Sequence, residues 1–312
     1  MHFGVLGPFE VVDDQSREVA LGGRKQRSVL AILLLHRGEI VSRERLVQEL
    51  WGERAPPSAA NTIHVYVSNL RKALGDGWLL TRPTGYLLQT EHADVDADRF
   101  EVLLTSGRQA RRQGDARSAH EALGEALRLW RGAPYADFAY DAFAQREIAR
   151  LDEARLNALE ERIDAQLELG DHAAVVGEFE ALTAEHPVRE HLHEQFMLAL
   201  YRCGRQADAL GAFSRIRTHL VDELGLEPGP VLKRLQAQIL EQDPALDRPG
   251  SAPRRAPRPA VARPCCSSVP PSSLRSGSGW VRSSEPPRDD WWSCTARPGS
   301  ARRLSCGGSA TA

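Results

Sequence analysis

The hydrophobic pattern changes character along the chain. Near the N-terminus, Phe3 and Val5, then Phe9 and Val11, alternate on either side of Gly7-Pro8, the period-two signature of short β-strands. "REVALGG" (17–23) predicts a further short strand. The dense apolar run "VLAILLL" then predicts a helix over 24–36. Ser42 is a candidate N-cap for a second helix in "SRERLVQELWG", where Leu46 and Leu50 stack at i, i+4 and Gly52 ends the run. After "APPS", Ser58 is the candidate cap of a third helix that stops at Gly75. "WLLTRPTGYLLQ" follows as two apolar strands around a turn with Pro83 and Gly85, a hairpin signal.

The third helix carries the most pointed pattern. Ile63, Val67, Leu70 and Leu74 recur at steps of four, three and four, one buried face of a helix. At about 100° per residue, Asn61, His64, Val65, Ser68, Arg71 and Lys72 gather on the opposite face. All but Val65 are polar or basic. A helix entering the major groove needs polar groups for base edges, cations for phosphates and an apolar group for a thymine methyl. Val65 suits the last role. The plainer reading gives Val65 a marginal contact with a neighbouring strand on an ordinary solvated face.

From about Asp94 to Leu246 the pattern is almost wholly helical, with a weak repeat. Gly114, Gly170 and Gly204 each separate two helical stretches. Five residues beyond them stand Ala119, Val175 and Ala209; nine beyond, Leu123, Phe179 and Phe213; twelve beyond, Ala126, Leu182 and Ile216. The last two glycines are 34 residues apart, the period of tetratricopeptide helix pairs. The first interval of 56 makes the array irregular.

Charge divides the chain into the same segments. Residues 1–92 hold 11 Lys+Arg against 10 Asp+Glu, residues 93–247 hold 18 against 29, and residues 248–312 hold 11 against 3. The last segment, with 10 Pro and 13 Ser in 65 residues, cannot bury enough apolar surface to offset the entropy of ordering. Two readings suit it: a disordered basic tail, or the product of a frameshift that replaces a longer C-terminus. No run of 18 apolar residues predicts a membrane span, and no signal-peptide pattern opens the chain. With Cys203 the only cysteine before residue 248, no disulfide framework is expected. The sequence is read as cytoplasmic.

Candidates for chemistry are poor. His186, His191 and His193 lie near Glu190 and Glu194, but His191 and His193 are two apart on a predicted helix and point in different directions. No metal site, cofactor or catalytic residue is expected. "GGRKQRS" (22–28) has the wrong glycine spacing for a phosphate-binding loop.

Three helices followed by a hairpin with Arg82 and Thr84 at its tip is winged-helix order, and a tip arginine suits a narrow minor groove. With "PPSAANTIHVYVSNLRKALG", "LLTRPTGYLL", "DVDADRFEVLL", "LRLWRGAPYADF" and "THLVDELGLEPGP" in this order, the chain resembles the Streptomyces antibiotic regulatory protein family from about Phe3 to Leu240. The resemblance implies a mainly α protein. An OmpR-type winged helix-turn-helix (α+β) over 1–92 would precede an all-α, tetratricopeptide-like bacterial transcriptional activator domain over 93–247, with 248–312 disordered. It assigns DNA contacts to Asn61, Thr62, His64, Val65, Ser68, Asn69, Arg71 and Lys72, and the minor-groove contact to Arg82. Ser68 and Asn69 depart from the wider OmpR-type pattern, in which basic residues are frequent there.

The function expected is therefore sequence-specific activation of an antibiotic biosynthetic cluster, with double-stranded DNA and RNA polymerase holoenzyme as partners. No phosphoacceptor receiver segment is expected before the first strand. The near-neutral charge of residues 1–92 predicts weak binding by one copy, hence a homodimer on a repeated DNA element. The alternative is a helical-repeat adaptor whose winged helix binds protein.

Overall fold

The computed structural model describes residues 1–90 and 93–247; the expectation of a disordered or frameshifted tail falls outside them. Strands β1 (His2–Gly4) and β2 (Glu10–Val12) pair antiparallel around the Gly7-Pro8 turn, and β1 pairs in parallel with β6 (Asp94–Val95). The strand expected in "REVALGG" does not form. That stretch makes only the isolated bridge Val12↔Glu18, after which Leu21 turns into the core and Gly22, at φ +82°, redirects the chain.

The three helices follow: α1 (Arg24–Leu35), α2 (Arg43–Trp51) and α3 (Ala59–Leu74). Ser42 caps α2, its side chain accepting from the Arg45 amide at 3.1 Å, which satisfies one of the orphan donors at a helix start. Ser58 does not cap α3 through its side chain. Its carbonyl instead accepts from the Thr62 amide and hydroxyl, and Gly75, at φ +86°, ends the helix. Ile63, Val67, Leu70 and Leu74 are buried as their spacing requires. The hairpin pairs β4 (Leu79–Arg82) with β5 (Gly85–Leu88). A strand the sequence did not predict, β3 (Ile40–Ser42), pairs with β5 and makes the second sheet β3-β5-β4. Gly85 permits this pairing, because a Cβ there would stand 2.0 Å from the Val41 carbonyl oxygen.

Beyond β6 the described chain is helical: α4 (Asp96–Arg112), α5 (Ala116–Arg128), α6 (Ala142–Leu169), α7 (His172–Glu185), α8 (Glu190–Arg202), α9 (Gln206–His219) and α10 (Pro230–Glu241). The glycine repeat is physical. Gly114, Gly170 and Gly204 have φ of +75°, +86° and +76°, the left-handed conformation that ends a helix without a Cβ clash. Ala119, Val175 and Ala209 lie on the buried faces of α5, α7 and α9, and Leu123, Phe179 and Phe213 fill them.

Two apolar clusters form the interior. One runs from Phe3 through the winged-helix segment, α4 and α5 to Ala158 in α6, and the other from Ile163 to Leu246. The first core thus continues past residue 93, where the sequence predicts the second domain to begin. Polar contacts reinforce it. The buried Asp96 carboxylate, at the start of α4, accepts from the amides of Val5 (2.9 Å) and Leu6 (3.0 Å) and from Arg131 (3.1 Å). The Leu6 and Val5 carbonyls accept from the amides of Arg131 and Tyr135, and the Phe9 amide donates to Asp137 at 2.6 Å. The "WRGAPYADF" stretch is the clamp that joins the N-terminal sheet to the helices.

Candidate nucleic-acid interface

Helix α3 is held by α1 and α2 behind it and by the hairpin at its flank. Its buried face leaves Asn61, His64, Val65, Ser68, Asn69 and Lys72 exposed, while Thr62 and Arg71 are half-buried. Val65 is 56% exposed. It packs into no core, and an apolar side chain stands in the polar stripe facing outward.

Three of its neighbours have definite partners. Arg71 donates from Nε to the Leu79 carbonyl at 2.8 Å and from its terminal nitrogen to the Thr81 hydroxyl at 2.6 Å. Asn69 donates to Gln26 in α1 at 3.3 Å, and Gln26 in turn donates to the Leu21 carbonyl. The Thr62 hydroxyl is turned back to the Ser58 carbonyl at 3.0 Å. These three residues lie on the candidate face, yet each also holds an element in place. Lys72 and, on the hairpin, Arg82 and Thr84 are exposed. Neither cation makes an ion pair among the described residues. The α3 residues stand on one helix; Arg82 and Thr84 stand on the hairpin.

Sequence reading missed Tyr86 and Arg43. Tyr86 is buried on β5, its hydroxyl oxygen 2.8 Å from Nδ1 of His64, and the Arg43 guanidinium lies 5.9 Å from its ring centroid. The signal available was the tyrosine in an otherwise aliphatic strand, "GYLL", because a buried phenol needs a polar partner.

The histidine-rich stretch on α8 is used internally. His191 faces Asp164 at 3.7 Å and Glu194 at 3.3 Å, and its pKa is pushed up to about 10 by its hydrogen bonds to Asp164 and then Glu194. His193 points elsewhere, with Nε2 3.1 Å from the Pro187 carbonyl, and burial pushes its pKa down to about 4. Among the described residues no helix is long and apolar enough to cross a membrane.

Residues 16–88 match the family model described as transcriptional regulatory protein, C terminal, and residues 95–240 match the bacterial transcriptional activator domain. Regulatory protein DnrI of Streptomyces peucetius is 40% identical over 261 residues, covering 80% of this chain and 96% of DnrI. The chain belongs to the Streptomyces antibiotic regulatory protein family. This family member is also 42% identical over 247 residues to regulatory protein AfsR of Streptomyces coelicolor, across 79% of the chain but only 25% of AfsR. It thus spans about a quarter of that larger relative. The solved structure of Mycobacterium tuberculosis EmbR in complex with a low-affinity phosphopeptide matches with a TM-score of 0.74 at 40% identity, covering 77% of this chain and 65% of EmbR. Like these relatives, the chain is a transcriptional regulator of the AfsR, DnrI and EmbR type, with the OmpR-type winged helix and helical activator segment that the sequence motifs imply.

Proposed function

We propose that this family member binds double-stranded DNA in a sequence-specific way and activates an antibiotic biosynthetic cluster. Helix α3 lies in the major groove and the β4–β5 tip, with Arg82 and Thr84, follows the backbone into the minor groove. The single observation that carries this reading is Val65, more than half exposed within an outward stripe of Asn61, His64, Ser68 and Lys72. A solvated helix face gains nothing from a bare valine, whereas a base-reading face has a use for it. Thr62, Asn69 and Arg71 contribute contacts or fix the orientation of α3 and the hairpin.

We assign a role to each segment. Residues 1–92 meet DNA, and residues 93–247 carry self-association and contact RNA polymerase holoenzyme. The chain works as a homodimer on a direct repeat, in the cytoplasm at the nucleoid, without cofactor or catalysis. The clamp around Asp96 suits this arrangement, since it ties the N-terminal sheet to the helical segment.

The test is the salt dependence of duplex binding. Phosphate neutralisation makes log affinity fall linearly with log salt, so wild-type binding should weaken steeply while Lys72→Ala and Arg82→Ala each flatten the slope. A chain that retains no duplex at moderate salt, or whose slope ignores both substitutions, would be a protein-binding adaptor.

A further inference from the structure

His64 and Tyr86 form a hydrogen-bonded pair, with the phenol oxygen 2.8 Å from Nδ1 and the rings edge-on at a centroid separation of 6.0 Å. Their surroundings decide which partner donates. Tyr86 is 1% exposed, and its hydroxyl has no other hydrogen-bond partner among the described residues. Its other polar neighbour is the Arg43 guanidinium, over the ring, and an arginine carries only donors. Were Nδ1 to carry the imidazole hydrogen, the phenol proton would be buried with no acceptor, which is costly. Nδ1 therefore accepts from the Tyr86 hydroxyl, and the hydrogen of the neutral imidazole stands on Nε2. His64 is exposed, and Nε2 makes no hydrogen bond among the described residues. The ring thus presents one donor of fixed identity on the outward face of α3, beside Val65.

We propose that Tyr86 sets the tautomer of His64 so that its Nε2–H reads the N7 of a purine in the major groove. Both guanine and adenine offer N7 as an acceptor. Cytosine offers an amino donor in that groove, and thymine offers its oxygen beside a methyl group. His64 then rejects a cytosine at one position, where only a donor would face it, with Tyr86 as the positioning residue behind it. The proposal rests on the DNA-binding reading above and adds the chemistry of one base contact.

Two measurements on the full chain test it. The first is the imidazole nitrogen spectrum of uniformly ¹⁵N-labelled protein in mildly alkaline solution, with His64 identified by its loss in His64→Gln. Wild type should show His64 protonated on Nε2, and Tyr86→Phe, which keeps the ring and loses the hydroxyl, should show a mixture of tautomers. The second replaces each purine of the bound element in turn with its 7-deaza analogue, which removes N7 alone. One position should lower wild-type affinity about tenfold, in the range of a lost base contact, and the Tyr86→Phe variant much less. A His64 protonated on Nδ1 in wild type overturns the proposal, as does a scan with no coupled position. If the chain binds no duplex, the DNA-binding reading fails and takes the base contact with it. The nitrogen spectrum separates that failure from an error in the tautomer.

Discussion

The guanidinium of Arg71 bridges the outward helix and the hairpin, donating to the Leu79 carbonyl at 2.8 Å and to the Thr81 hydroxyl at 2.6 Å. Lys72, the next residue, has no such partner among the described residues. Two adjacent cations on one helix thus have different tasks, although their residue types suggest the same one.

Arg71→Ala should lower the melting temperature, at a cost of about 1 kcal/mol for hydrogen bonds at a half-exposed site, with little change in the salt slope of DNA binding. Lys72→Ala should leave melting unchanged and reduce the slope by about one unit. If Arg71→Ala flattened the slope at an unchanged melting temperature, its guanidinium would belong to a phosphate.

Val65→Ala should keep α3 intact, since alanine is the better helix former, and weaken binding to the specific element by about 1 kcal/mol. Non-specific binding should barely change, because phosphates do not sense that side chain. Replacing the contacted thymine with uracil should weaken wild type more than the variant, a coupling that a double-mutant cycle measures. Independent losses at every thymine would leave Val65 without a methyl partner.

Asp96→Ala should cost about 3 kcal/mol, because it leaves two backbone amides and the Arg131 guanidinium without their buried acceptor. Urea unfolding should show a lower midpoint. An unchanged midpoint would mean that the clamp between the N-terminal sheet and the helices holds without its carboxylate.

Much of this architecture was legible in the sequence. The three N-terminal helices, the hairpin and the glycine-marked helix turns follow from apolar spacing and from glycines that must take positive φ. β3 and β6 were not legible, because two or three residues carry no period; tertiary pairing with β5 and β1 creates them. "REVALGG" has strand residues and finds almost no partner. The outward face of α3 could be drawn from a helical wheel, but its internal commitments could not. Asn69 meets Gln26, and His64 meets Tyr86, across 43 and 22 residues of chain, and Asp96 reaches Val5 across 91. Such contacts leave no local pattern.

Acidification offers a test of the helical segment. Burial, the largest cause, holds the His193 pKa down at about 4, with Arg215 and His219 adding to it. An unfolded histidine titrates near about 6.5, so the unfolded chain binds this proton first. The stability is fully present above about 6.5 and is lost as pH falls toward about 4. Thermal melting should drop across that window, and His193→Gln should reduce the drop. His191 acts in the opposite sense. Its raised pKa gives stability that is fully present below about 6.5 and is lost as pH rises through about 10. A melting temperature that is flat from about 6.5 to about 4 would contradict the buried, neutral state of His193.

The central claim is that α3 and the hairpin read DNA sequence, and sequencing of the genomic duplex fragments retained by the purified chain tests it most directly. The account predicts enrichment of one short element, present as two copies in the same orientation about one helical turn apart, with enrichment lost in a Val65→Ala, Asn61→Ala double variant that still melts like wild type. Retained fragments with no shared element, or the same enrichment in the double variant, would contradict it.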